Sequence, residues 1–417
     1  MKNRAIRNIF ILGFLIRLSA GLFIGYEFHS NYAVIARNLA AGKGYRYSGE
    51  GFTAHRAPGY PLFLAGMISV FGEKKLPFIF AMALIGAANA ALCAKLGKGF
   101  FGAESGFLAG LIYIFFPYLA YVEANLESAF VTLGLLTGLI LFFKAREDKH
   151  PVYLWLCGLS FSYSYLFRPS IAFIPFFLSL VLVFFERGNR KFPARAAGAA
   201  MLMLAFFSGI LPWGLRNKKV FGRWYFGQTF AWHDLYIGNN KNSLKIYPLI
   251  SGDKYFGMIP AVPVYFNDEF KEEEWYKEHT LAQLSSLTLA EKINMAALKL
   301  TCLWNARLVP YTAYSPDKPG QRPYRKRRLR ENLFFSIPYI SLIMLSAIGC
   351  WRARKRPRLI LFMAAFLLFF SLPYTLFFGY SRYATQVYFI LIILAGEGLS
   401  ALLPKTIFDR ISALSYT

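Results

Sequence analysis

The chain has 417 residues, of which 56% are hydrophobic and only 17% charged, with a mean hydropathy of +0.39 and a formal net charge of +25. Soluble domains carry nearer a quarter charged residues, so this composition excludes an ordinary soluble fold. In a chain with several apolar runs of membrane-crossing length, the excess of Lys and Arg reads as positive-inside loops and contact with anionic lipid, not as nucleic-acid binding.

Met1–Asn8 carries Lys2, Arg4 and Arg7, which places the N-terminus in the cytoplasm. A first span is expected over about Ile9–Tyr26. It has Arg17 in its middle and no convincing cleavage site, so it reads as a retained span. A charge inside a span is a functional hypothesis by default: Arg17 either partners a buried group or snorkels. The segment Glu27–Leu64 then lies outside. In it Tyr32, Ile35, Ala36 and Leu39 fall at i, i+3, i+4 and i+7, the stripe of a helix lying on the membrane surface. Ser30 or Asn31 caps its start and Gly42 and Gly44 stop it. Arg56–Pro61, with two prolines and a glycine, is expected to be irregular.

Nine more spans are expected, near Leu76–Leu96, Glu104–Ala120, Glu127–Lys144, Val152–Phe167, Ser170–Phe185, Ala196–Leu215, Leu333–Trp351, Leu359–Phe378 and Ala384–Leu403. Between the seventh and eighth lies a long polar region, Arg216–Arg330. It holds an acidic helix start at Asp268–Glu278 and an amphipathic helix near Leu287–Trp304. Because that helix carries Glu291, Lys292, Asn294 and Lys299, it is placed on the surface. The expected divisions are an N-terminal transmembrane module (1–215, with its outer loop at 27–75), an extracytoplasmic region (216–331) and C-terminal transmembrane helices (332–417). Basic residues follow the assigned cytoplasmic loops, apart from the Arg322–Arg330 run, which charge alone leaves undecided.

Chemistry concentrates at the outer boundaries. Glu123 and Glu127, at i and i+4, are expected on one helical face, where the pair offers a base, a metal ligand or a counter-charge. Arg56, Arg168, Arg216 and Arg382 each fall at a predicted outer boundary on a different segment. Guanidinium groups bind phosphate bidentately and stay charged in dry surroundings, so four at one depth point to a lipid-linked phosphate or diphosphate. The five histidines show no ligand spacing and the four scattered cysteines no CxxC pair. No P-loop, dinucleotide fingerprint or nucleophile elbow is present.

These residues resemble a family. Tyr32, Ala36-Arg37-Asn38-Leu39, Gly42 and Gly44-Tyr45 look like the first-loop helix of the polytopic bacterial GT-C-fold glycosyltransferases, the group that includes protein O-mannosyltransferase-like and lipid A aminoarabinose transferase-like enzymes. Arg56-x-Pro58-Gly59-Tyr60-Pro61-Leu62 looks like the segment after it. Pro117 with Leu126-Glu127-Ser128-Ala129-Phe130, Leu166-Phe167-Arg168-Pro169 and Ser381-Arg382-Tyr383 resemble further motifs. The most specific piece is Pro212-Trp213-x-x-Arg216-Asn217 with Tyr236-Ile237-Gly238-Asn239.

The resemblance implies an all-α polytopic membrane protein: a GT-C-type bundle of about ten transmembrane helices, with surface helices in the first outer loop and a long outer loop between spans seven and eight. It implies transfer of a sugar, with inversion, from a polyprenyl-phosphate donor to a lipid, glycan or protein acceptor. The active site would face outward from a bacterial inner membrane. Arg56, Arg168, Arg216, Arg382 and Tyr383 would hold the donor phosphate, and Tyr32, Tyr60, Glu123 and Asn217 would line the pocket. A divalent cation is a candidate cofactor; none is certain, and no nucleic-acid partner is expected. The family's aspartate four residues before Tyr32 is replaced by Phe28, so Glu27, His29 and Glu127 are the candidate catalytic bases. The alternative from another class is a non-catalytic lipid-carrier binder or a transporter of lipid-linked sugars.

Overall fold

A computed structural model describes residues 4–28, 30–47, 51–148, 150–185, 191–239, 268–305, 324–377 and 379–404, without the side chains of Ser30 and of residues 324–332. The described residues form helices and turns and contain no strand. In chain order the helices are α1 (Arg4–Ile24), α2 (Ser30–Ala40), α3 (Gly59–Phe71), α4 (Lys75–Phe101), α5 (Ala103–Phe115), α6 (Pro117–Glu123), α7 (Ser128–Asp148), α8 (Val152–Phe167), α9 (Phe173–Leu180), α10 (Phe192–Phe221) and α11 (Ala231–Gly238). They continue with α12 (Glu269–Ser285), α13 (Leu289–Leu303), α14 (Tyr324–Arg352), α15 (Pro357–Ser371), α16 (Pro373–Leu376), α17 (Ser381–Ala384) and α18 (Tyr388–Leu402).

The chain is polytopic. Among the described residues, seven helices are long and apolar enough to cross a membrane, and α5 with α6, bent by 62°, makes up to eight. The fifth and sixth expected spans correspond to shorter apolar helices, Val152–Phe167 and Pro169–Phe185. At 1.5 Å per residue, the 16 residues of the first cover roughly 24 Å, less than the hydrocarbon core of about 30 Å.

The chain divides into two compact units. The first comprises Met1–Gln228, Leu342–Phe370 and Gln386–Thr417; the second comprises Thr229–Ser341 and Ser371–Thr385. In the first unit α4 is central, packed against α1, α5 and α7, while α8 joins α7 to α10 and α18 packs on α5. Small residues set these distances. A Cβ on Gly106 would come within 2.5 Å of the Ala94 carbonyl oxygen, and one on Gly396 within 2.5 Å of the Ser105 carbonyl oxygen. Backbones this close gain the dispersion contacts that hold helices together where hydrophobic burial offers no preference over lipid. The buried stripe of α1 is Ile9, Gly13, Arg17 and Gly21, one residue every four. Arg17 therefore shares the face that two glycines press onto α4.

In the second unit α11 packs on α12, and α13 on α16 and α17. Asp268 caps α12 by accepting from the Phe270 N–H, and Thr288 with Glu291 forms a reciprocal capping box at the start of α13. The expected surface position of Lys299 is corrected here. Met295, Lys299 and Leu303, four residues apart, form the buried stripe of α13, and Lys299 is fully enclosed.

Two further expectations change. Gly59-Tyr60-Pro61 is not irregular but the first turn of α3, because a proline in a first turn removes no intrahelical hydrogen bond. Arg216 and Asn217 do not lie beyond the seventh span; α10 runs on to Phe221, where Gly222 ends it in the left-handed conformation (φ 71°).

Candidate active site

The site begins at the break between α6 and α7. Glu123 and Glu127 do not share a helical face: α6 ends at Glu123, residues 124–127 turn, and α7 starts at Ser128. Asn125 holds that turn with tertiary bonds. Its Oδ1 accepts from the Glu27 N–H (2.8 Å), its Nδ2 donates to the Gly25 carbonyl (3.1 Å), and its own carbonyl accepts from the Tyr60 hydroxyl (3.1 Å). A side chain that satisfies distant backbone groups competes with helix continuation. The two carboxylates consequently diverge.

Glu123 turns inward and is 2% exposed. Arg17 Nη2 stands 3.3 Å from its Oε2, and the Tyr113 hydroxyl and Asn89 Nδ2 (3.1 Å) both donate to its Oε1. Arg17 Nη2 also donates to the Tyr113 carbonyl at 2.9 Å. Arg17 is thus the partner of a buried group and does not snorkel.

Glu127 turns the other way and pairs with Arg168, whose side chain keeps 16% of its exposure against 6% for Glu127. Arg168 ends α8 in an extended conformation (φ −150°, ψ 104°), as a residue preceding proline must, and its N–H bonds to the Ser164 carbonyl at 2.9 Å. The preceding Phe167 stacks on Phe130 of α7, ring centroids 4.6 Å apart. Against Phe167 lies Gly59, where an added Cβ would meet the ring at 2.7 Å. The start of α3 is thereby seated beside Arg168.

That seat brings in the segment between α1 and α3. The Tyr60 ring meets Tyr32 edge-on at 5.2 Å, and its hydroxyl bonds to the Tyr26 hydroxyl at 2.9 Å. The Arg56 guanidinium lies 5.7 Å from the Tyr32 ring centroid, a cation–π distance. The Arg56 carbonyl accepts from the Tyr45 hydroxyl at 2.9 Å. Tyr32, Arg56, Tyr60, Glu127 and Arg168 are therefore linked through contacts within one unit. Glu27 joins them through its backbone, with an exposed side chain.

The other sequence-predicted residues are placed differently. Arg216 donates to the carbonyls of Thr53 (2.8 Å) and Tyr45 (3.3 Å) and to Asn217 Oδ1 (2.8 Å). The rings of Tyr45, Phe52, Trp213 and Phe221 surround it, with centroids 5.0–5.8 Å away. These contacts tie the segment between α2 and α3 to α10. Asn217 is fully buried and donates to the Tyr225 carbonyl at 2.7 Å, and Trp213 Nε1 donates to the Gly227 carbonyl at 3.0 Å. The Pro-Trp-x-x-Arg-Asn motif thus folds the segment after α10 back onto it. Arg382 and Tyr383 belong to the second unit, where Arg382 Nη2 donates to the Tyr383 hydroxyl (3.2 Å) and Tyr383 stacks on Tyr374 at 5.5 Å. His29, residues 240–267 and the side chains of the basic run Arg322–Arg330 lie outside the described residues.

Sequence reasoning missed Asn125 and Asn89. Asn89 carried a signal, being a lone amide in the apolar run of α4; Asn125 sits in a short polar turn with nothing local to mark it. Among the described residues, no group of three or more His, Cys, Asp or Glu is placed to hold a metal ion.

Residues 55–213 match the family model described as dolichyl-phosphate-mannose-protein mannosyltransferase. The match bears out the resemblance to polytopic glycosyltransferases. The matched stretch contains Arg56, Tyr60, Glu123, Glu127 and Arg168; Glu27, Tyr32, Arg216, Asn217, Arg382 and Tyr383 fall outside it. No curated protein matches the chain. Among solved structures, ArnT from Cupriavidus metallidurans bound to undecaprenyl phosphate is similar at 14% identity and a TM-score of 0.44, over 96% of this chain and 78% of that one.

Proposed function

We propose that the chain is a membrane glycosyltransferase that moves a sugar, with inversion, from a polyprenyl-phosphate donor to a lipid, glycan or protein acceptor on the extracytoplasmic side. The observation that carries this reading is the pair of buried Glu127 with partly exposed Arg168, within the stretch that matches the mannosyltransferase model, and its link to Arg56, Tyr60 and Tyr32. As the sugar's anomeric C–O bond breaks, negative charge gathers on the departing lipid phosphate. Arg168 and Arg56 are the groups proposed to stabilise it, because a guanidinium offers paired donors at fixed geometry. Arg382 and Tyr383 enter as phosphate contacts from the resemblance alone. Arg216, engaged with Tyr45 and Thr53, acts in this reading by holding the first outer loop on α10.

The acceptor hydroxyl must lose its proton as its oxygen bonds to the sugar. Glu127 is already engaged by Arg168. Glu27 has the same chemistry without that restraint, and Asn125 links its backbone to the turn carrying Glu127. The proposal therefore gives the proton to Glu27, and gives Glu127 the task of orienting Arg168.

The test is single-turnover transfer from a radiolabelled polyprenyl-phosphate sugar at saturating donor. Glu27→Gln is expected to lose about a hundredfold to ten-thousandfold in rate with donor binding unchanged. Full rate in Glu27→Gln removes it as the base. Full rate in Glu27→Gln, Glu127→Gln and His29→Ala together makes a lipid-carrier binder the better account.

A further inference from the structure

Lys299 is fully buried in the second unit, yet among the described residues none of the acceptors it reaches is an acid. Its Nζ donates to Asn239 Oδ1 at 2.7 Å, to the Leu376 carbonyl at 2.8 Å and to the Thr375 carbonyl at 3.1 Å. An ammonium has three N–H donors, and here each has an acceptor. Burial pushes this group down to about 7 from the usual lysine value. A lysine enclosed without a counter-ion is costly unless its donors are satisfied, so the arrangement calls for a purpose.

The acceptors show what is being held. Thr375 and Leu376 end α16, and terminal helix carbonyls have no partner within their own helix. Asn239 completes the cap: its Nδ2 donates to the Leu376 carbonyl (2.8 Å) and to the Leu235 carbonyl at the end of α11 (2.6 Å). One lysine of α13 and one asparagine after α11 thus close the end of α16. Three residues beyond Leu376 comes Gly379. A Cβ there would sit 2.4 Å from the Lys299 carbonyl oxygen and 3.2 Å from Leu303 Cβ, so the backbone of Gly379 lies directly on the same turn of α13. Then follows Ser381-Arg382-Tyr383, on α17, which packs against α13.

We propose that Lys299, with Asn239, is a positioning residue for the Arg382–Tyr383 arm. The pair caps the end of α16 and so fixes where the chain leaves it, over α13, to present Arg382. This inference rests on the reading of Arg382 as a donor-phosphate contact. It also explains why Asn239 closes the Tyr-Ile-Gly-Asn motif: only a side chain with both an acceptor and a donor can meet the lysine and the Leu376 carbonyl together.

The experiment measures binding of radiolabelled undecaprenyl phosphate to purified full-length protein, with thermal unfolding and transfer kinetics alongside. Arg382→Ala is expected to weaken binding at least about tenfold, the loss of one charge-assisted contact. Lys299→Met is expected to raise the donor KM by about as much while kcat at saturation changes less, because a displaced contact weakens binding first. Asn239→Asp keeps an acceptor for Lys299 but loses the donor to the Leu376 carbonyl, so it is expected to weaken donor affinity, though less than Asn239→Leu, which loses both. The double variant Lys299→Met/Asn239→Leu is expected to be no worse than either single one, as members of one cap are not additive.

Wild-type donor affinity in a folded Lys299→Met protein, with Arg382→Ala weakened, overturns the inference and leaves the donor site standing. Wild-type affinity in Arg382→Ala overturns the reading of Arg382 beneath it. Where Lys299→Met does not fold, Asn239→Leu decides, and unchanged affinity in it overturns the proposal.

Discussion

Glu123 with Arg17 and Glu127 with Arg168 have the same chemistry in two settings. The first pair is sealed in the bundle, with side chains 2% and 4% exposed, and its glutamate also receives Tyr113 and Asn89. The second stands at the end of α8, with its arginine 16% exposed and the start of α3 packed on the neighbouring Phe167. The sealed pair is enclosed by protein and has little freedom to meet a ligand. The open pair keeps a guanidinium that water or substrate can reach. One glutamate braces the turn from inside and the other serves the proposed site, and the four-residue turn at Asn125 separates the two roles.

The sharpest way to break the comparison is to remove one sealed partner. Arg17→Met leaves Glu123 uncompensated inside the bundle and is expected to destabilise by about 3–5 kcal/mol. Pairing it with Glu123→Leu is expected to restore most of that loss, because an apolar pair of similar volume needs no solvation. Thermal unfolding of the purified proteins reads both. If Arg17→Met melts like the parent, the sealed pair is not the brace described.

The open pair should behave in the opposite way. Arg168→Ala is expected to keep the fold and to weaken donor binding by roughly 1.5–3 kcal/mol, ten- to a hundredfold. Arg168→Lys is expected to recover only part of it, since the bidentate fork is lost. A large fall in stability with unchanged donor affinity would make the two pairs equivalent.

Gly59→Ala probes the seat between them. Its Cβ would meet the Phe167 ring at 2.7 Å and the Leu166 carbonyl oxygen at 2.9 Å. Overpacking of this kind costs about 1–3 kcal/mol, and it moves Arg56 and Tyr60 relative to Arg168. A raised donor KM, with the stability difference between wild type and Arg17→Met unchanged, is the expected result.

The smallest effect belongs to an exposed pair that makes the same bonds in water. Arg37 donates from Nε and Nη2 to the two oxygens of Glu73, at 2.5 and 2.8 Å, joining α2 to the turn after α3. Those hydrogen bonds hold the Glu73 carboxyl below its usual 4.5. A carboxyl lowered in the folded state adds stability above its unfolded pKa and loses it as pH falls through the folded one. The Arg37→Ala difference in stability is therefore expected to be present at pH 7 and to vanish in the acid range below 4.5. At 47% and 41% exposure the pair is worth no more than about 0.2–1 kcal/mol, and less in high salt. Unfolding midpoints measured across pH for both proteins check this.

Much of the architecture was legible in the chain, because helices obey rules that act within a few residues. Apolar runs located the long membrane helices, and the first-loop stripe from Tyr32 to Leu39 became α2. Gly42 and Gly44 ended it with φ of 71° and 83°, which side chains resist. Pro169 set the extended backbone of Arg168, and Thr288 and Glu291 built the cap of α13. Packing decided which face turns inward: Gly13, Arg17 and Gly21 share one stripe of α1, as Met295, Lys299 and Leu303 share one of α13. What spacing could not contain was the partner each polar group would meet. Arg17 finds Glu123 across 106 residues of chain, and Arg216 finds Thr53 across 163. A charge is stabilised by whatever stands within a few ångströms of it, and that is decided when distant segments pack. Lys299 reads as a solvated face until α16 and Asn239 arrive, and Glu123 and Glu127 read as one pair until Asn125 turns them toward different arginines.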